Sequence, residues 1–119
     1  AALLAFPSMD RTEAAEASLL LGALGYARWR EGDVVGARKA WSAAIDAAGE
    51  PSRESWLGGF LAEAYRAELA LSLGDETTAH AHARAAAGWA PTPAVGWRLL
   101  AQRGHLQSLS DGLMDQPGR

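Results

Sequence analysis

The dipeptide Gly-Asp occurs twice in this chain, as Gly32-Asp33 and, 42 residues later, as Gly74-Asp75. Glycine takes the left-handed conformation that ends many helices, and aspartate caps the start of the next helix. Each dipeptide therefore predicts a sharp turn between two antiparallel helices. Self-similarity at a period of roughly 20–50 residues is typical of helical-repeat architectures. The same shift of 42 also superposes alanines at positions 37 and 79, 43–44 and 85–86, and 48 and 90.

Composition favours helices over strands. Alanine supplies 27 of the 119 residues, whereas Val, Ile and Thr together supply only 8. Alanine is the best helix former and β-branched residues are typical of strands, so we expect an all-α fold. A chain of this length is sufficient for one domain with its own core.

Capping and breaking signals predict five helices. The first has Asp10 as its N-cap and ends near residue 31, and the second spans about 34–48 before Gly49-Glu50-Pro51 stops it. The third is expected over about 53–73 with Ser52 as its cap, the fourth over about 76–89, and the fifth after Thr92-Pro93. These elements divide the chain into an extension (1–9), one domain (10–110) and a tail (111–119). The domain consists of two hairpins, 10–51 and 52–92, and a capping helix, 93–110.

Apolar residues at helical spacing predict which faces are buried. In the first helix this stripe is Leu20, Leu24 and either Ala27 or Arg28, widened by Ala17 and Leu21. In the second helix it is Ala37, Ala40, Trp41, Ala44 and Ala48. In the third helix it is Leu57, Phe60, Leu61, Ala64, Tyr65, Leu69 and Leu73. In the fifth helix it is Val95, Trp97, Leu100, Ala101 and, further on, Leu106 and Leu109.

With the Gly-Asp turns as anchors, small and aromatic residues recur at the positions that define the tetratricopeptide repeat, and the chain resembles that family over about 10–110. The matching residues are Leu24, Gly25, Ala37, Trp41 and Ala44 in the first repeat, Ala67, Ala79, Ala83, Ala86 and Pro91 in the second, and Trp97, Leu100 and Ala101 in the fifth helix. The period of 42 is longer than the family's 34. Arg28 and Arg66 also depart from the apolar pattern. The resemblance implies a right-handed superhelix of two hairpins and a capping helix.

The resemblance also implies a concave groove that binds a peptide or a helix. Carried over residue by residue, its partner-binding side chains are Tyr26, Trp29, Arg30, Glu68, Leu71, Arg98 and Gln102. Aromatic residues and arginine dominate protein-binding hot spots, which singles out Tyr26, Trp29 and Arg30. The alternative is that Tyr26 and Trp29 pack within their own hairpin.

Five tryptophans are many for this length, and an alanine-rich core needs some large residues to fill it. Trp56 is the exception, because it precedes Gly58-Gly59 in a region where little else is expected to cover it. Glycines inside a helix cost up to about 1 kcal/mol each relative to alanine, and this pair has no local explanation. Trp56, Gly58 and Gly59 are therefore candidates for self-association, with a helix kink as the alternative for the glycines.

No catalytic or cofactor motif is present, so we expect neither an enzyme nor a bound cofactor. The chain has no cysteine, and His80 and His82 point in different directions on one helix, so no metal site is expected. A net charge of −3 without a basic cluster argues against nucleic acid, and no apolar run is long enough to span a membrane. The absence of a recognisable leader favours the cytoplasm, with an excised fragment or a processed exported protein as the alternatives.

The sequence thus predicts a non-enzymatic module that binds a protein or peptide partner in a concave groove. Two alternatives stay open at this point. One is a structural unit that self-assembles as a homodimer through its apolar end faces. The other is the sensor fragment of a larger bacterial regulator, because long-period relatives of this repeat occur there.

Overall fold

The computed structural model describes residues 10–103 and residue 106. This part of the chain contains five helices, numbered here α1 to α5, and no β-strand, which confirms the all-α prediction. Their bounds are α1 Arg11–Arg30, α2 Val34–Ala48, α3 Trp56–Ser72, α4 Glu76–Trp89 and α5 Pro93–Ala101. The predicted limits of α2 and α4 agree with the structure.

The two Gly-Asp turns have the same backbone geometry. Gly32 and Gly74 have φ of +89° and +79°, a conformation that residues with a side chain rarely adopt. Asp33 and Asp75 then each accept a hydrogen bond from the backbone N–H three residues further on, at 2.8 and 3.1 Å. The 42-residue repeat is therefore a repeat of structure at the turns, because each residue type is required by the local backbone.

The first hairpin is held together by a tryptophan that enters a gap left by a glycine. Trp41 on α2 is fully buried, and a β-carbon at Gly25 on α1 would collide with its indole ring. The indole N–H donates to the carbonyl oxygen of Gly22 at 3.1 Å, and the buried Ser18 hydroxyl donates to the carbonyl oxygen of Ala44 at 2.7 Å. These contacts bring the backbones of α1 and α2 close together.

The second hairpin also packs a tryptophan against a glycine, but at a position further from its turn. Gly59 on α3 faces the ring of Trp89 on α4, and no β-carbon fits between them. Nearer the turn, Ala67 and Ala83 are both fully buried.

The predicted α2 stripe is confirmed, since all five of its residues are buried.

The predicted start of α3 is wrong by three residues. Helix α3 begins at Trp56, because the Ser52 hydroxyl accepts the N–H of Ser55 at 3.1 Å and the Ser55 hydroxyl donates to the carbonyl oxygen of Glu50 at 2.9 Å. These side-chain bonds hold residues 52–55 in a turn, as serine does when it competes with the helix for backbone groups.

The predicted burial of the α1 stripe is also wrong. Leu20 is 71% exposed and Leu24 is 43% exposed, whereas the buried face of α1 consists of the small residues Ala15, Ser18, Gly22 and Gly25. The reason is that α2 and α3 both cover the opposite side of α1. In α3, Leu57 and Leu73 at the ends of the predicted stripe are exposed as well.

The capping helix is shorter than predicted, since α5 ends at Ala101. Leu100 and the following Leu106 are both fully buried in a cluster with Phe60 and the alanines of α3 and α4. They close the end of the second hairpin. Leu109, like the predicted extension and tail, lies outside the described residues.

Candidate functional site

A cleft of about 640 Å³ lies where α1, α3 and the segment after α5 meet. Helix α1 contributes three neighbouring side chains and α3 contributes two, while one arginine follows α5. The lining residues are Tyr26, Trp29, Arg30, Tyr65, Glu68 and Arg103. The cleft is therefore assembled from both hairpins and the segment after α5.

A continuous set of aromatic rings forms one wall of the cleft. The rings of Tyr26 and Tyr65 are 5.4 Å apart, and Tyr65 stacks on Trp41 at 5.7 Å with 20° between the ring planes. Trp29 meets both Tyr26 and Trp41 edge to face, at 6.2 and 6.0 Å. Tyr65 thus packs on the buried Trp41, and the more exposed Tyr26 packs on Tyr65 and Trp29.

Arginines and one carboxylate form the polar side of the cleft. Arg103 donates to Glu68 at 2.7 Å, and its guanidinium lies 4.9 Å from the centre of the Tyr65 ring. Arg30 donates to the Tyr26 hydroxyl at 3.3 Å and is not ion-paired with any described residue. Glu68 neutralises only one of the two arginines, so the cleft has an excess of one positive charge.

The structure brings together four of the seven predicted groove residues and separates the other three. Tyr26, Trp29, Arg30 and Glu68 all line the cleft. Leu71 instead packs half-buried against the second hairpin's core, and Arg98 and Gln102 are exposed on and after α5, outside the cleft lining.

Tyr65 and Arg103 line the cleft and were missed as binding residues. The pattern assigned Tyr65 to the buried stripe of its helix, and it does join the core through Trp41 while one side of its ring faces the cleft. Arg103 carries no local signal, because its contact with Glu68 joins residues 35 positions apart.

The residues predicted for self-association are largely covered within the chain. Gly58 is buried against Ser18 of α1, and Gly59 is buried against Trp89, so close helix packing accounts for both glycines without a second chain. Trp56 is half-buried and meets Phe60 edge to face at 6.2 Å.

The histidines of α4 are not paired with each other. His82 lies 2.8 Å from a carboxylate oxygen of Glu63 on α3, which also approaches Arg66 at 3.5 Å. Within residues 10–103 and 106, no group of three or more His, Asp or Glu side chains is placed to hold a metal ion. The helices of the described region are also too short or too polar to cross a membrane.

Comparison of the chain with protein-family models, with curated proteins and with solved structures finds no significant match. The likeness to the tetratricopeptide repeat therefore rests on the residues quoted above and on the repeated turns.

Proposed function

We propose that this chain is a non-enzymatic binding module of the tetratricopeptide type, with right-handed stacking of its hairpins. In this proposal, it holds a peptide or a helix in the cleft between α1, α3 and Arg103. The observation that carries the proposal is the aromatic wall. Tyr26 is exposed for 39% of its surface, yet its ring is held by Tyr65 and Trp29. A rigid and exposed aromatic surface binds a partner with little loss of conformational entropy.

The size and charge of the cleft also favour a short peptide segment. Its volume lies within the roughly 300–1,000 Å³ of typical ligand sites. The excess positive charge of Arg30 lies beside the Tyr26 ring. A peptide segment with a carboxylate and an apolar or aromatic side chain can therefore pair with the arginine and pack on the ring. The net charge of the whole chain is −3, so this attraction is local to the cleft.

The experiment is a selection of binders from a random peptide library on the full chain, followed by affinity measurement on variants. Tyr26→Ala and Arg30→Ala should each weaken binding about tenfold or more, because tenfold corresponds to about 1.4 kcal/mol and truncation of a hot-spot residue costs about 2 kcal/mol or more. Trp29 is left intact, since its loss would also disturb Trp41. Arg84→Ala, on the exposed face of α4, is the matched control for loss of an exposed arginine.

Amide and side-chain NMR signals would locate the bound peptide independently. Shifts centred on Tyr26, Tyr65 and Arg103 are expected. Selected peptides that bind Tyr26→Ala and Arg30→Ala as well as the unmodified chain, or that shift signals only elsewhere, would contradict the proposal.

A further inference from the structure

One face of α3 is the surface on which the second hairpin packs against the first. Its residues are Ala62, Tyr65, Arg66 and Leu69. Ala62 and Leu69 are buried in a cluster with residues of α2. Tyr65 stacks on Trp41 of α2 at 5.7 Å, and Arg66 donates to a serine hydroxyl of α2 at 2.6 Å. These four positions therefore define the stacking face of the repeat.

The stacking face of α1 is exposed within the described part of the chain. A shift of 42 residues carries the four positions onto Leu20, Ala23, Leu24 and Ala27. All four residues are exposed, and the two leucines are exposed for 71% and 43% of their surface. Two leucines one turn apart form a contiguous apolar patch rather than scattered exposure. The face that packs on a neighbouring hairpin in the second repeat is therefore bare in the first.

The segment before α1 repeats the sequence that ends α2. Under the same shift, Ala1-Ala2-Leu3-Leu4-Ala5 aligns with Ala43-Ala44-Ile45-Asp46-Ala47. Three of these five pairs are identical alanines, and the third pair is leucine with isoleucine. Pro7 aligns with Gly49, which caps the end of α2, and with Pro91, which follows α4. The 42-residue repeat therefore extends into the residues before α1, with a helix-breaking residue at the same place each time.

We propose that residues 1–6 are the last turns of a further helix, and that the hairpin completed by this helix packs on the stacking face of α1. Consecutive helices joined by a short loop run antiparallel, so residues 1–6 should lie beside the part of the face near Leu20. Ala37 and Trp41, which cover the face of α3 in the second repeat, correspond to positions before residue 1. The occupant is thus a whole hairpin of the same 42-residue repeat, joined to α1 through residues 7–10.

The side chains of the α1 face define the chemistry of this occupant. Leu20 stands where the second repeat has alanine, whereas Ala23 and Ala27 stand where it has tyrosine and leucine. Since a core packs large side chains against small ones, the added helix should be small opposite Leu20 and larger opposite the two alanines. Ala2 provides the small residue, because it aligns with an alanine of the α2 cluster. Leu24 replaces an arginine that bonds to a serine, so it requires an apolar neighbour.

Stacking on this face does not use the proposed peptide cleft. None of Leu20, Ala23, Leu24 and Ala27 lines that cleft. Hairpin stacking and peptide binding are therefore independent, and failure of either one leaves the other standing.

The test extends the full chain by one hairpin in register. A second copy of residues 10–42 is placed ahead of Ala1, so that the second helix of the copy continues directly into residues 1–6. The copy carries Ser42→Ala, since that residue should lie opposite Leu24. Helicity measured by circular dichroism should rise in proportion to the residues added.

The decisive measurement is the cost of Leu20→Glu in the full chain and in the extended chain, from guanidinium unfolding. In the full chain the substitution should change the unfolding equilibrium constant less than about threefold, because Leu20 is 71% exposed. In the extended chain it should raise that constant about tenfold or more, because a charge then enters a buried interface. Leu73→Glu, at a leucine that is 59% exposed outside this face, is the matched control and should cost the same in both chains.

A shifted chain tests the register itself. Two alanines inserted between the copied residue 42 and Ala1 rotate the added helix by roughly 200°, so that it presents its opposite face. Leu24→Glu should then cost about tenfold less in the shifted chain than in the chain extended in register. Equal costs in these two chains would show that the 42-residue register does not determine the packing, and would overturn the inference.

Amide hydrogen exchange shows whether the added helix forms. The amides of Leu3 and Leu4 should exchange at least about tenfold more slowly in the chain extended in register than in the full chain, because they become part of a packed helix. Equal exchange rates in the two chains would overturn the inference, since no helix would then continue into residues 1–6. An equal cost of Leu20→Glu in the two chains would overturn it as well, because the face would then be bare in both.

Discussion

The two hairpins have the same type of turn, but their helices pack against each other differently. In the first hairpin the large side chain, Trp41, enters beside Gly25, seven residues before the turn glycine. In the second hairpin the corresponding positions are both alanine, and Trp89 enters beside Gly59, fifteen residues before its turn glycine. The contact between tryptophan and glycine has moved by eight residues, or about 12 Å along the helix.

This difference separates what the turn determines from what the core determines. The Gly-Asp turn sets the antiparallel path of the chain, because its conformation depends on glycine and on one carboxylate. The core requires only that each large side chain pack against a small one, and several positions along the paired helices meet that requirement.

The largest expected effect is that of Trp41→Ala. Trp41 is fully buried, stacks on Tyr65 and bonds to Gly22, so its removal should lower the free energy of unfolding by about 3–5 kcal/mol. Trp89→Ala should cost less, since Trp89 is only half-buried. Guanidinium unfolding followed by circular dichroism measures both values. Equal losses would show that the two hairpins depend on their tryptophans alike and would remove the contrast.

Intermediate effects are expected from the glycines that face the tryptophans. Gly59→Ala inserts a methyl group against the Trp89 ring and should cost about 1–3 kcal/mol. Gly88→Ala, in the same hairpin, is the matched control, because nothing lies within 4 Å of the added carbon. That substitution should stabilise the chain by up to about 1 kcal/mol, as alanine favours the helix.

A double variant sharpens this test. Gly59→Ala combined with Trp89→Leu should recover part of the loss, since the smaller side chain leaves room for the new methyl group. Strictly additive losses in the double-mutant cycle would indicate that the two residues do not pack on each other.

The smallest expected effect concerns the second turn and depends on pH. The Thr78 hydroxyl, together with its backbone N–H, holds the pKa of Asp75 below its ordinary value of 3.8. Because the folded state lowers this pKa, the carboxylate stabilises the fold above about pH 3.8, and that contribution is lost as the pH falls through the lower folded value. Asp75→Asn should therefore make thermal stability less sensitive to acid below that pH.

Thr78→Val provides the matching partner variant. It removes the hydroxyl but keeps the backbone donor, so part of the acid sensitivity should disappear. Thr77→Val is the control on the neighbouring exposed threonine. Identical acid profiles for Thr77→Val and Thr78→Val would contradict the assigned cause.

Local signals account for what the sequence predicts correctly. Helices α2 and α4 begin after a capping aspartate and end at a glycine or before a proline, and their bounds follow from those residues alone. The predicted start of α3 is wrong because the hydroxyls of Ser52 and Ser55 bond to backbone groups in competition with the helix, and only the folded turn shows that Ser55 bonds back to Glu50.

Non-local contacts account for the features that the sequence does not predict. The spacing of Leu20 and Leu24 correctly identifies an apolar face, but periodicity cannot tell whether a neighbour covers it. The cleft shows the same limit. Repeat positions predict Tyr26, Trp29, Arg30 and Glu68, whereas Arg103 reaches the cleft only because the chain after α5 returns to α3.

The alanine-rich core described above has a thermal consequence. Among the described residues, thirteen of the eighteen buried apolar ones are alanine, whose side chain has no rotamers to release when the chain unfolds. The entropy of unfolding per residue should therefore be lower than in a core of leucine and phenylalanine. Because the shift in melting temperature equals the change in free energy divided by that entropy, a substitution of modest energy should displace the melting temperature of this protein by unusually many degrees.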